Sequence, residues 1–122
     1  LFLLHTIGYK VSQLTSDPWI EKYIFPGGAL PSLAQIGKAT EGLFLVEDMH
    51  TFGADYDKTL LAWFKNFDVA WPSLRAKYGD RFYRMWKYYL LTCAGVFRAR
   101  EAQLWQFVLS PSGVPGGYRS TR

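Results

Sequence analysis

An α/β fold is predicted by three features of this 122-residue sequence. Leu1 to Ile7, LFLLHTI, is a nearly continuous apolar run, the pattern of a strand covered on both faces as in a parallel sheet. Two further strand-like segments, 43–49 and 102–109, are separated from it and from each other by apolar stripes at helical spacing. The order is therefore strand, two helices, strand, two helices, strand, which leaves no place for a sequential hairpin. Three strands make a poor sheet alone, and the chain opens inside a buried-looking strand without an initiator Met. The expectation is a fragment whose remaining strands lie upstream.

Taken in order, the first strand is polar only at His5 and Thr6 and is ended by Gly8. Residues 8–16 read as a loop. Asp17-Pro18 is a helix start, with Asp as N-cap and Pro in the first turn. That helix runs to about Ile24, where Pro26-Gly27-Gly28 stops it. Ser32 and Gln35 have capping-box spacing for a second helix, with Leu33, Ile36 and Ala39 on one side and Gly42 as its stop. The strand from Leu43 to Met49 follows, then a polar loop from Glu47 to Gly53 and a helix from about Asp55. Its stripe is Tyr56, Leu60, Phe64, Phe67 and Trp71, and Pro72 is expected to end or kink it. Ser73 to Tyr78 adds a further turn before Gly79. The last helix, about Asp80 to Ala99, carries Phe82, Met85, Trp86, Tyr89, Leu90, Cys93 and Phe97. Ala102 to Leu109 alternates as a closing strand, and residues 111–122 are expected to be a flexible tail.

Composition narrows the classes. Hydrophobic residues make up 49%, enough for a packed core. The aromatic share of 18% exceeds what a small core needs and points to an apolar pocket or buried interface. A single Cys excludes an internal disulfide and fits a reducing compartment. The formal net charge of +4 permits contact with anionic lipid or nucleic acid without specifying either. No apolar run reaches the roughly 18–20 residues of a membrane span.

No Cys/His cluster has metal spacing, and neither a G-x-S-x-G nor a P-loop is present. Gly27-Gly28 is a turn, since a dinucleotide fingerprint needs a preceding strand and a third glycine. The chemistry-bearing candidates are His5 at a strand end, Tyr56 at the rim where the long helix begins, and Cys93 on an apolar helical face. Each also has an ordinary reading: a hydrogen-bonded structural His, a core ring, a small hydrophobe. Asp48, His50 and Asp55 surround the turn as solvated or capping groups. Arg81, Arg84 and Lys87 with Arg98 and Arg100 read as a solvated basic face or as a lipid-phosphate contact. Nucleic acid is disfavoured, because the rings fall at core spacing and do not interleave with the basic residues. From residues alone the reading stops at an α/β fragment with an aromatic pocket.

Four segments carry more. LFLLHTIG, DPWIEKYIFPGGALPS, EDMHTFGADYDKTLLAWF and YYLLTCAGVFRAREAQLWQFVLS appear together and in that order. They closely resemble the C-terminal portion of cyclopropane-fatty-acyl-phospholipid synthases and their mycolic-acid relatives, over Leu1 to about Ser110. The resemblance implies the C-terminal part of a Rossmann-like class I S-adenosylmethionine-dependent methyltransferase. Such enzymes place a methyl group on a cis double bond of a phospholipid acyl chain. The carbocation that forms loses a proton and closes to a cyclopropane. The base implied is a bound bicarbonate, whose ligands match His5, Ile7 and Tyr56 here, while a Cys and a Glu ligand belong upstream. Tyr89 and Cys93 match an acyl-pocket pair one helical turn apart.

The physics of these residue types agrees with the implied roles. A buried anion needs protein donors around it, and a carbocation gains about 0.5–2 kcal/mol from each aromatic face it meets. The glycine-rich loop and the acidic ribose ligand for S-adenosylmethionine are missing from these residues, so the isolated chain is expected to be inactive. The resemblance further implies a cytoplasmic protein at the inner membrane surface, with phospholipid acyl chains as partners, no nucleic acid, and a possible homo-oligomer. Two alternatives remain: a non-catalytic lipid-binding module, and a related acyl-chain methyltransferase that does not close the ring.

Overall fold

The computed structural model describes residues 1–121. Its elements are β1 (Phe2–Tyr9), α1 (Pro18–Tyr23), α2 (Leu33–Thr40), β2 (Leu45–Thr51), α3 (Gly53–Arg98) and β3 (Ala102–Ser110). The sheet order is β1-β3-β2, and β3 is antiparallel to both neighbours. The last strand is thus inserted between the first two. Its sequence explains the place, because Ala102, Leu104, Trp105, Phe107 and Leu109 are all buried and serve both faces.

On one face Trp105, Phe107 and Leu109 pack with Ile36 of α2, joined by Leu4, Phe44 and Met49. On the other, Ala102 and Leu104 meet Leu60, Leu90, Ala94 and Phe97 of α3. Leu60, Leu90 and Leu109 are each only 1% exposed. Burial of such a side chain contributes about 1.5–3 kcal/mol. With helices on both faces, the α/β class expected from the sequence stands.

The expectation for β1 needs correction. It is not covered as a strand inside a parallel sheet. It pairs on one side with an antiparallel partner, and Leu1, Phe2 and Leu3 are exposed. Gly8 does not end it either, since β1 continues to Tyr9. Gly8 is glycine because a Cβ there would lie 2.1 Å from the Trp105 ring and 2.5 Å from the Pro31 carbonyl oxygen. That crossing is held by the Tyr9 N–H donating to the same carbonyl at 2.9 Å.

Both helix starts read from the sequence are present. The Asp17 carboxylate accepts from the Trp19 and Ile20 N–H groups, and Ser32 with Gln35 forms a complete capping box. β2 begins two residues later than expected and runs through His50 and Thr51, which sequence reasoning placed in a loop. A register shift at Glu47 explains part of the offset. The bulged Glu47 accepts from the Ser110 hydroxyl and from the Val114 N–H at 2.9 Å, tying the chain after β3 back onto β2.

α3 starts at Gly53, two residues before the expected position. The Phe52 N–H donates to the Leu104 carbonyl at 3.1 Å, and a Cβ on Gly53 would lie 2.9 Å from the Leu104 nitrogen. The first turn is therefore pressed onto β3. Pro72 does not end the helix. The Ser73 hydroxyl donates to the Ala70 carbonyl there, and helical backbone continues past it. The break comes at Gly79, with φ 74° and ψ 160°, a conformation that side chains with a Cβ disfavour. Two arms, 53–78 and 80–98, fold back on each other through Phe67 against Phe82 and Tyr83, and Tyr56 against Phe97.

Two substitutions test this packing in opposite directions. Gly8→Ala is expected to destabilise the fold by about 1–3 kcal/mol through overpacking against Trp105 and Pro31. Arg100, the non-glycine residue with positive φ (62°), closes α3 in the left-handed region. Arg100→Gly is expected to stabilise by about 0.5–1 kcal/mol. Urea denaturation of the two variants beside the parent checks both signs.

Candidate functional site

The site is built on the sheet face that α3 covers. Side chains alternate along a strand, so His5 and Ile7 of β1 share that face with Leu104 and Gln106 of β3. β2 adds His50, registered opposite Gln106. Phe52 follows at the β2–α3 junction, and its ring stands 5.8 Å from the His5 ring and 4.8 Å from the His50 ring. The Gln106 amide nitrogen lies 3.1 Å from His5 Nδ1.

The structure brings four of the five expected site residues into one cluster. Ile7, Tyr56, Tyr89 and Cys93 all pack, half-buried, against the Leu60–Leu90–Leu104 core. Tyr56 comes from the first arm of α3, and Tyr89 and Cys93 come from the second. His5 is not in that cluster. It is more exposed and reaches it through Phe52, which belongs to both groups. Phe25, in the turn after α1, stands edge-on to Tyr89 with ring centroids 6.0 Å apart, and the Trp86 ring centroid lies 5.1 Å from that of Tyr89 on the same helix.

Burial dominates the electrostatics. It pushes the Tyr89 hydroxyl up to about 12, with Cys93 and Tyr56 adding to the shift. It pushes the Cys93 thiol up to about 11, with the Asp17 carboxylate adding to it. Tyr56 is raised by burial first and by Cys93 second. At neutral pH the two phenols and the thiol therefore keep their protons. They are hydrogen-bond donors set in an aromatic wall, and none of them is a ready base.

Sequence reasoning missed Tyr9, Phe52 and Gln106. Tyr9 joins the same cluster, and its hydroxyl is raised by burial, Cys93, Asp17 and Glu101. Gln106 carried a usable signal, as a polar side chain in the middle of a mostly apolar strand, but only the register shows that it meets His5. The expected basic face is divided. Arg98 pairs with Asp57 at 3.0 Å, Arg100 bonds Gln103, and Lys87 lies over the Phe64 and Tyr83 rings. Arg81 and Arg84 make no ion pair among the described residues. Asp55 pairs with Lys58 and does not cap α3.

Gly27 and Gly28 form the turn after α1, where the Gly28 N–H donates to the Phe25 carbonyl. A Cβ on Gly27 would meet nothing within 4 Å, so no group makes a close approach there. Among the described residues no His, Cys, Asp and Glu group could hold a metal ion, and no helix is long and apolar enough to cross a membrane.

Comparison with known proteins gives this arrangement a context. Cyclopropane-fatty-acyl-phospholipid synthase of Escherichia coli K12 is 57% identical over all 122 residues, which cover 32% of that protein. A Citrobacter freundii sequence of the same name is 52% identical over 90 residues, 74% of this chain and the whole of that sequence. The chain thus spans about a third of the length of the E. coli relative. The crystal structure of a mycolic acid cyclopropane synthase complexed with SAH and CTAB superposes with a TM-score of 0.77 at 27% identity, over 88% of this chain and 42% of that one. The three-stranded sheet and its helices are therefore part of the cyclopropane-synthase fold. The family model described as mycolic acid cyclopropane synthetase matches residues 1–107, and the chain belongs to that family.

Proposed function

We propose that the protein carrying this chain transfers a methylene unit from S-adenosylmethionine to the cis double bond of an unsaturated phospholipid acyl chain. The convergence of Ile7, Tyr56, Tyr89 and Cys93 on one half-buried aromatic cluster supports this reading most directly. A hydrocarbon chain needs an apolar wall, and a cationic carbon in that wall needs ring faces around it. Tyr89, with Phe25 and Trp86 beside it, supplies such faces. Cys93, held protonated, lines the wall one helical turn away without offering a charge.

The second half of the reading is a bound bicarbonate. The donor set suits a small oxyanion: the free edge of the His5 imidazole, the protonated Tyr56 hydroxyl and the backbone of Ile7. When bound, bicarbonate supplies the base that removes a proton from the added methyl group. The protein's part is to hold that anion by hydrogen-bond donors and to keep water from the cationic carbon. No step at S-adenosylmethionine is assigned to these residues.

Membrane contact belongs to the same reading. Residues 63–88, around the hairpin of α3, carry Lys65, Arg75, Lys77, Arg81, Arg84 and Lys87 against Asp68 and Asp80, an excess equal to the formal +4 of the whole chain. Exposed Trp63, Val69, Tyr78 and Tyr88 accompany them. Such a surface suits peripheral binding to anionic lipid on the cytoplasmic side. The unpaired outer edge of β1 suits pairing with a further strand or a second copy.

In the full-length enzyme, Tyr56→Phe and His5→Gln are each expected to lower kcat/KM by about 10–100-fold, the worth of a hydrogen bond to a charged group. Added bicarbonate should partly restore both. Parent-like rates in both variants would remove these residues from the site, and product analysis by mass spectrometry separates ring closure from simple methylation. The 122-residue chain alone should show no transfer from labelled cofactor.

The protonated cluster also sets an alkaline limit. Cys93 and Tyr89 hold their protons more tightly folded than unfolded. Their contribution is complete below the ordinary values of 9.0 and 10.0 and is lost as pH rises toward about 11 and about 12. Stability should therefore fall between pH 9 and 12, and Cys93→Ala with Tyr89→Phe should flatten that fall in denaturation measured across the range.

A further inference from the structure

Gln106 lies at the centre of a polar row that crosses all three strands. It is the registered partner of His5 on β1 and of His50 on β2. Its amide nitrogen is 3.1 Å from His5 Nδ1, and the Phe52 ring packs against both imidazoles. β3 is paired on both sides, so its backbone has little freedom to carry Gln106 away.

A neutral imidazole has one donor nitrogen and one acceptor, and its hydrogen-bond partner decides which is which. The NH2 of a side-chain amide only donates. Facing Nδ1, it makes that nitrogen the acceptor and leaves the proton on Nε2. We propose that Gln106 is a positioning residue that holds His5 as the Nε2–H tautomer, so that its free edge is a donor and not a lone pair. For a ring that must face a small oxyanion, this is the useful form. A lone pair turned toward the anion would repel it. The functional consequence rests on the reading that His5 binds such an anion; the tautomer does not.

The alternative residue types show why an amide suits this position. A carboxylate at 106 would accept from Nδ1–H, favour the imidazolium, and place a negative charge beside the anion site. An apolar side chain would leave the ring to choose either tautomer. Glutamine is the choice that orients the imidazole and adds no charge.

The test uses the full-length protein labelled with 15N-histidine, read by two-bond 1H–15N correlation at pH 8 with His5→Gln to assign the signal. The expected result is a single Nε2–H tautomer at His5 in the parent. Gln106→Met should give both tautomers, and the near-isosteric Gln106→Glu should move the proton to Nδ1. Kinetics should follow, with the apparent KM for bicarbonate raised at least tenfold in Gln106→Glu and kcat at saturating bicarbonate changed much less. An Nδ1–H parent, or a His5 signal that Gln106→Glu leaves unmoved, overturns the proposal. If the tautomer shifts as stated while bicarbonate dependence stays flat in Gln106→Glu and His5→Gln alike, the positioning role stands and the anion reading falls.

Discussion

The constraint on which this structure depends is that β3 must be dry on both faces. Strands β1 and β2 do not touch each other; each is joined to the fold through β3. The two helical layers meet the sheet at the same strand, α2 through Trp105, Phe107 and Leu109, and α3 through Ala102 and Leu104. Small groups stand where α3 comes closest, with Gly53 and Ala94 opposite Leu104 and Ala102. Register follows from this two-sided burial. A slip of one residue would turn Trp105 and Leu104 to the wrong layers, so the alignment of His5, Gln106 and His50 is secured by apolar packing elsewhere on the strand.

The second determinant is the fold-back of α3. Tyr56 and Tyr89 lie 33 positions apart in sequence, and only the reversal at Gly79 puts them in one cluster. The same packing that unites them also keeps them neutral. Burial raises Tyr56, Tyr89 and Cys93 together, and Cys93 makes ionisation of both phenols less favourable still. An apolar wall built this way can shelter a cationic carbon without presenting it a nucleophilic thiolate or phenolate.

Much of this was legible from residue patterns. Asp17-Pro18 and the Ser32–Gln35 pair mark their helix starts because capping is local chemistry, settled within four residues. The stripes of α3 name the residues of its inner face correctly for the same reason. What failed depends on contacts distant in sequence. The central place of β3 cannot be read from its alternation, which suits a half-covered strand equally well. Gly8 looks like a terminator until Trp105 and Pro31 are found against it. Pro72 looks like a stop, yet the packing of Phe67 and Trp71 against Tyr83 holds both arms in place around it. His50 and Thr51 join β2 because β3 supplies their partners. The resemblance singled out Ile7, Tyr56, Tyr89 and Cys93, which the fold gathers in one cluster, whereas the meeting of Gln106 with His5 needed the register.

In the proposed reading the site divides its work according to charge. An oxyanion that is to act as a base must be held firmly enough to be positioned, yet its negative charge must survive the holding. Cationic ligands would bind it more tightly and lower its basicity, while carboxylates would expel it. Uncharged donors meet both demands, and on this face burial raises the Tyr56 and Tyr89 hydroxyls so that they keep their protons at neutral pH. The arginines named above are elsewhere. Arg98 is occupied by Asp57, and Arg81 and Arg84, which form no ion pair among the described residues, stand on the distal hairpin. In the proposed reading, the cationic hairpin of α3 would meet lipid phosphate and the protonated phenols would face the carbocation, so one small α/β scaffold would separate the two tasks.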